Sequence, residues 1–531
     1  MRLYRDCRDA MSRRWLGRLA LAAMLLGVVG WSLVAQPPAE EVVTPERIAA
    51  LLARLGSLDR AGKSAVLDFF VEVANKPGEY LRDSRPLQLA LRNAGPIIAK
   101  LADDPDLEFR CQVLTTLGQI RCAADVVAPV WGKALAENQF RLDRAVGAGV
   151  LAYLKRAHLL RDSGGGQVSV RVGFLEAMFA DLNGIAPLLP RLQRSPVAAT
   201  RINVYVAIGA FFELLEYTQD ISGTESAVPL ADLKRQVAQM PTKLSGFFAE
   251  AKRVLDDPQA VETRDLLVNF EHIADVCISR EENLVTQQTP HRASGRLLQP
   301  DLDPQGREAA RELQAEFRRL VPAISRRLTA PELEVRLAAC ELLEALGKEA
   351  EAVLPALLEA LHDFNPFVRW AAVRTLGKLN PSQPGDAARI VLAFVPLLSD
   401  EDLGVRGVTA LALERYGEQA APAVAGLSEL AKRKDAVLQL SAVRALSAVG
   451  PAAEGAIPGL LVALRSQDER VREMVPPILG RLGRHASSAV PGLREALTDA
   501  SSSVRLRAAQ ALVQIEVPSV PPAPGTPPPG D

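Results

Sequence analysis

One register recurs along this chain and limits its fold more than any other feature. Valine-like residues stand at Val335, Val368, Val405, Leu438, Val471 and Val504, separated by 33, 37, 33, 33 and 33 residues. Arginine follows five of them (Arg336, Arg369, Arg406, Arg472 and Arg505), and Gln439 follows the sixth. Thirteen residues before each lies a second recurring site, at Pro322, Pro355, Leu392, Ala425, Pro458 and Pro491. A fixed period of this size without a strand signal describes stacked helix pairs, each unit burying its apolar faces against its neighbours. The expected class is all-α, an α-solenoid, preceded by one N-terminal hydrophobic helix.

The segment Val353 to Gly377 shows how one unit works. Its first helix opens near Pro355, where a missing N–H costs nothing. Leu354, Leu357, Leu358 and Leu361 recur at helical spacing and form the buried stripe. Asp363, Asn365 and Pro366 break the helix. The second helix carries Val368, Ala371, Ala372 and Leu376, and Gly377 is expected to end it in a left-handed conformation.

An aspartate precedes the arginine by six residues in several units: Asp363 with Arg369, Asp400 with Arg406, Asp499 with Arg505, and upstream Asp104 with Arg110. This spacing puts the carboxylate in the inter-helix turn and the guanidinium on the first turn of the second helix. The aspartate can then accept backbone N–H groups, and the arginine can reach an aspartate of its own or an adjacent unit. Such an arrangement is a structural ladder rather than a reaction centre.

The recurring proline, leucines, aspartate, Val-Arg pair, paired alanines and glycine resemble HEAT repeats, specifically the short variety named after phycobilisome lyases. The resemblance runs through 308–517 and implies a HEAT-like superhelix. Leu392 and Ala425 depart from the proline, Gln439 departs from the arginine, and Pro476 with Pro477 should kink one second helix. Pro96, Asp104, Phe109 and Arg110 repeat the same offsets upstream. Pro129 with Leu142, and Pro187 with Thr200 and Arg201, repeat them again. Residues 46–307 are therefore expected to be the same solenoid in degenerate form, with insertions near 161–184, 219–239 and 279–307.

The first 18 residues carry six arginines against two aspartates, and 19–35 contain no charge. At about 1.5 Å per residue this stretch spans roughly 26 Å as a helix, near the thickness of a hydrocarbon core. The expectation is a transmembrane anchor or uncleaved signal at 19–35. The basic N-terminus at 1–18 would be cytoplasmic, a linker would cover 36–45, and the body would lie on the periplasmic side. The alternative is a secreted or periplasmic protein after signal cleavage. Residues 518–531, half of them proline, form a Pro-rich tail unable to pack into a core.

With 62 basic and 63 acidic residues the net charge is -1, and no basic run after residue 20 is long enough to track a phosphate backbone. Nucleic acid is thus not expected as a partner. Cys7, Cys111, Cys122, Cys277 and Cys340 form no C-x-x-C pair, and the five histidines show no metal-ligand spacing. Gly56 to Ser64 imitates a phosphate-binding loop with one residue too many and no preceding strand. No catalytic, cofactor or metal residues are assigned. The expected function is a scaffold for unidentified protein partners. Arg374, Glu414, Arg415, Arg444, Glu473 and Arg507 are the candidate binding residues, because they interrupt the apolar stripe on second helices expected to line a concave face. The alternative, implied by the resemblance, is an enzyme like the chromophore lyases.

Overall fold

Second helices begin in the same way in unit after unit, at two polar residues spaced by one. The first accepts the N–H of the second: Asp104 from Asp106, Asp363 from Asn365, Asp400 from Asp402 and Asp499 from Ser501, at 2.8–2.9 Å. The second then caps the helix. Asp106 accepts from Phe109, Asn365 from Phe367, Asp402 from Val405, Asp435 from Val437 and Leu438, and Asp468 from Arg470. Each cap satisfies a donor that the helix leaves open, a contribution of about 1 kcal/mol.

The computed structural model describes residues 43–75, 85–154, 168–169, 172–220, 230–277, 304–379, 381–383 and 385–516. The expected anchor at 19–35, most of the linker, residues 161–167 of the first expected insertion and the Pro-rich tail lie outside the described residues. Helices pair along the chain. The first pairs are α1 (Pro45–Leu55) with α2 (Arg60–Asn75), α3 (Arg85–Ala99) with α4 (Leu107–Gln119), and α5 (Ala124–Ala136) with α6 (Phe140–Leu154). Then α7 (Val172–Ile185) and the short α8 (Leu189–Gln193) pair with α9 (Ala198–Tyr217), and α10 (Leu230–Asp256) pairs with α11 (Thr263–Cys277). Next come α12 (Pro304–Ser325) with α13 (Leu333–Leu346), α14 (Leu354–Ala360) with α15 (Pro366–Lys378), and α16 (Asp386–Phe394) with α17 (Leu403–Tyr416). The last pairs are α18 (Val424–Ala431) with α19 (Ala436–Val449), α20 (Ile457–Ala463) with α21 (Glu469–Arg481), and α22 (Val490–Ala496) with α23 (Ser502–Glu516).

Every second helix packs on the next, from α2 through α4, α6, α9, α11, α13, α15, α17, α19 and α21 to α23. First helices stack likewise from α1 to α12, and further on they also meet the 3-10 turns that precede their neighbours. The fold is all-α, a two-layer solenoid. Two short strands, Val168–Ser169 and Thr218–Asp220, pair in parallel and form the sole sheet among the described residues.

Two local expectations are corrected, on Gly377 and on the insertions. Gly377 does not end its helix in a left-handed conformation; it lies inside α15, where an added Cβ would sit 2.7 Å from the Ala412 Cβ of α17. Its role is close approach of two helices. Among the described residues the positive-φ glycines are Gly385, at the start of α16, and Gly347, Gly417, Gly450 and Gly483, with φ of 53–70°, which follow second helices and open the 3-10 turn to the next unit. Pro476 and Pro477 lie within α21, which runs through both. The zones expected as insertions hold helix at 172–184, 230–239 and 304–307, because α7, α10 and α12 are first helices of the stack itself. The apolar run Ala436–Ala463 has the length and hydropathy of a membrane span, but Gly450 at φ +70° divides it into two packed helices.

Candidate functional site

The ladder is the most regular chemistry in the molecule. Arg336 Nε and Nη2 donate to the two carboxylate oxygens of Asp363 at 2.7 and 3.2 Å. Arg369 holds Asp400 at 2.8 and 2.7 Å, and Arg472 holds Asp499 at 2.8 and 3.1 Å. Each pair is bidentate and joins one unit to the next. The remaining Nη1 of each arginine donates to carbonyls of its own turn, Ala330 and Pro331, Asp363 and Phe364, or Ser466 and Gln467. The planar guanidinium thus staples two turns, which a lysine could not do. The Arg369 and Asp400 side chains retain only 9% and 7% of their exposure.

The rungs continue upstream, where the partners are not the Asp-Arg letters of the C-terminal units. Arg110 pairs with Glu137, and Arg201 Nε donates to Glu262 at 2.7 Å while its Nη1 reaches the Ser195 carbonyl. Between them the pair is neutralised on one side: Ser195 Oγ donates to buried Asp143 at 2.8 Å. Gln439 stands at the arginine site of its unit and accepts from Ser466 Oγ at 2.7 Å. Spacing makes these positions equivalent, since each carboxylate or serine site stands five residues before its valine-like site, and the backbone turn there agrees. The N–H groups of Asp104, Glu137, Ser195, Ala330, Asp363, Asp400, Arg433, Ser466 and Asp499 all donate to the carbonyl three residues back. Glu137, Ser195, Glu262 and Ser466 were not singled out from sequence. The offset of 27 residues shared by Arg110–Glu137, Arg336–Asp363, Gln439–Ser466 and Arg472–Asp499 is the signal that could have found two of them.

Of the other predicted ladder residues, Asp104 takes Arg60 at 2.9 Å, while Arg406 and Arg505 donate to backbone carbonyls of their own turns. The Asp400 and Asp499 carboxyls sit below their ordinary range. At Asp499 the bond from Arg472 is the main cause. At Asp400 burial pushes upward, but the bonds from Arg369 and the Asp402 N–H, with the charges of Arg369 and Arg406, outweigh it.

The candidate binding residues form a second, more exposed series on the same helix layer. Arg374 pairs with Glu344 of the preceding unit at 2.5 Å and lies over the Trp370 ring at 4.6 Å. Arg444 pairs with Glu414 at 2.9 Å, and Arg507 with Glu473 at 3.0 Å. Arg415 is exposed. Five of the six thus bridge consecutive units. At the turn edge of the layer, exposed apolar residues that sequence reasoning missed stand out: Phe364 at 80%, Val437 at 71%, and also Phe367 and Leu403.

Residues 297–377, 317–393, 354–447 and 457–523 match HEAT repeats. The C-terminal array is a HEAT-repeat array. The match is to HEAT repeats as a class, and the phycobilisome-lyase variety stays a resemblance. No curated protein matches the chain. Among solved structures, an engineered protein is similar over 88% of this chain and 99% of its own, at 17% identity and a TM-score of 0.47. A second engineered protein covers 50% of this chain and 96% of its own, at 19% identity and a TM-score of 0.31. A structure described as concerning a phosphorylation switch in the interaction between cadherin and beta-catenin covers 89% and 95%, at 13% identity and a TM-score of 0.46.

Within the HEAT array and upstream of it, the thiols sit in packing positions. Cys122 and Cys340 are buried, and burial pushes the Cys122 thiol up to about 12, so neither is a ready thiolate. His485 Nδ1 lies 3.1 Å from Glu454 on the surface. Among the described residues no three His, Cys, Asp or Glu side chains converge as a metal site. The Gly56–Ser64 segment bends from α1 into α2, where the Asp59 carboxylate accepts the Gly62 N–H.

Proposed function

We propose that this chain is an exported scaffold, tethered to the membrane by residues 19–35, whose second-helix layer holds an extended segment of a partner protein. The observation that carries the reading is the unbroken packing of second helices from α2 to α23, which makes one continuous helix layer through every unit. A surface of that kind suits a chain segment, which can contact several units at once. On this reading 46–307 and 308–517 act as one array, and Arg374, Glu414, Arg415, Arg444, Glu473 and Arg507 offer it polar contacts. The tether rests on the arginines ahead of an uncharged stretch.

Cross-linking in the native envelope, followed by identification of the captured proteins, tests the scaffold. The same partners should return in every replicate and fall away when Arg444 and Arg507 are both reversed to glutamate. Irreproducible capture would defeat the reading. Protease added to intact spheroplasts tests the orientation: the body should be digested from outside, and protection of the body would refute export.

A further inference from the structure

One internal rung is left open with its cation in place. Position 433 is where Asp363, Asp400 and Asp499 stand in their units, five residues before the valine-like site, yet it carries an arginine. Arg406, whose equivalents Arg336, Arg369 and Arg472 each hold a carboxylate of the following unit, forms no ion pair and donates only to the Asp400 carbonyl. The turn ahead of α19 reads Lys432, Arg433, Lys434, all exposed. Carboxylates nearby are already engaged. Asp400 is held by Arg369 and the Asp402 N–H, Asp402 by the Val405 N–H, Asp435 by the Val437 and Leu438 N–H groups, and Glu429 by Lys432. The break between α11 and α13 differs, because there both rung positions, Val268 and Ala330, are apolar and no charge is left over.

We infer that this gap is a docking point for an acidic segment of a partner protein. One carboxylate of the segment takes the rung place beside Arg406, and others meet Arg433 and Lys434. Val437 and Leu403, both exposed at the same edge, supply the apolar contact that flanks it. Charge complementarity selects the occupant: Arg433 and Lys434 face solvent without an ion pair, beside a half-buried Arg406 whose counterparts Arg336, Arg369 and Arg472 each hold a carboxylate. The inference rests on the scaffold reading and names the chemistry of what the scaffold holds.

The test uses the full chain and a short fluorescein-labelled peptide of alternating glutamate and leucine, with a twin carrying glutamine for glutamate, read by anisotropy. The acidic peptide should bind, more weakly as salt rises, and its twin should not. Arg433→Asp, which supplies the missing rung internally, and Arg406→Gln should each weaken binding by roughly tenfold or more. Arg505→Gln, at the terminal unit, should leave it unchanged. Arg433→Asp should also unfold no earlier than the parent chain. Equal binding of the twin, unchanged affinity in Arg433→Asp, a lowered unfolding midpoint for that variant, or tighter binding of a single-stranded oligonucleotide would each overturn the proposal. If Arg433→Asp still captures the parent's set of partners in the envelope, the gap is not their site and the scaffold reading stands. If the parent chain captures nothing reproducible, the scaffold reading itself has failed.

Discussion

The two halves of the array solve the same packing problem with different side chains. Between α2 and α12 the interior is aromatic: Phe70, Trp131, Tyr153, Phe179, Tyr205, Phe211, Phe212, Phe247, Phe248, Phe270 and Phe317 are fully buried. From α13 onward Phe394 is the one large aromatic in that class, and alanine, leucine and valine fill the core. Small aliphatic residues can be repeated identically in every unit, since each unit presents its neighbour with the same shallow surface. A large ring needs a pocket built for it. Phe270 makes contacts with Tyr205, Phe247, Phe248 and Phe317, at centroid separations of 5.4–6.2 Å, so its environment occurs once. The helices lengthen accordingly, to 20 residues in α9 and 27 in α10 against 13 to 15 in the second helices from α13 on. Repetition survives in the backbone while the side chains diverge.

That contrast predicts where truncation is most costly. Phe270→Ala should destabilise by about 3–5 kcal/mol, because a ring packed on four others leaves a cavity that its stiff neighbours fill poorly. Denaturant titration of the whole chain should show the loss in transitions assigned to the N-terminal half, with the C-terminal half keeping its own midpoint. In a quasi-one-dimensional array the damage stays near the mutated unit. A uniform shift of all transitions would mean that the halves fold as one cooperative block.

Rung chemistry gives the next comparison. Asp400→Ala removes the bidentate partner of the Arg369 guanidinium in a site with little exposure and leaves it only Glu401 at 3.4 Å and two carbonyls, so the cost should approach the about 3–5 kcal/mol of breaking a buried pair. Ser195→Ala removes a hydrogen bond to the Asp143 carboxylate and should cost less, about 1.5–3 kcal/mol. The same difference appears as acid sensitivity. Asp400 and Asp499 have folded-state pKa values below the unfolded reference of about 3.9, so their stabilisation is present above that pH and fades as pH falls through the lower folded-state values. Circular dichroism between neutral pH and pH about 2 should show Asp400→Ala losing less stability on acidification than the parent chain. Equal acid sensitivity in both would remove the ion pair from the account.

Hinge glycines give a smaller effect with a sharper readout. Gly450 has φ +70° and nothing within 4 Å of an added Cβ, so Gly450→Ala meets backbone strain alone, about 1–3 kcal/mol. Gly377→Ala meets the Ala412 Cβ instead and should be relieved by Ala412→Gly, whereas no neighbour substitution should relieve Gly450→Ala.

These glycines also show what was legible from residues alone. The recurrence of the valine-like site, followed by arginine in all but α19, located every second helix from α13 to α23, because an Ala/Leu core lets the same letters return at the same spacing. Gly377 was nevertheless misread. It lies nine residues beyond its valine site, whereas Gly347, Gly417, Gly450 and Gly483 each lie twelve beyond theirs, and that fixed offset was the better guide. Upstream, Arg110 and Glu137 keep the 27-residue rung offset, but Asp143 with Ser195 and Arg201 with Glu262 are 52 and 61 residues apart. Long intervening segments erase the offset there, and swapping arginine for aspartate and aspartate for serine erases the letters. The candidate binding residues were placed on the right helices but with their inter-unit partners unseen, since an ion pair between units leaves no mark in the spacing of either.

The smallest predicted effect is the most useful for function. Arg444 is 46% exposed and Glu414 30%, and a solvated pair of this kind contributes about 0.2–1 kcal/mol. Arg444→Ala should therefore leave the unfolding midpoint almost where it was, in contrast to any change at the buried rungs. A fall in partner capture on Arg444→Ala would then report the loss of a contact, because too little stability is removed to unfold the unit. If capture is untouched by Arg444→Ala yet abolished by Arg433→Asp, the partner lies along the turn edge, and the exposed pairs of the second-helix face serve only to hold consecutive units together.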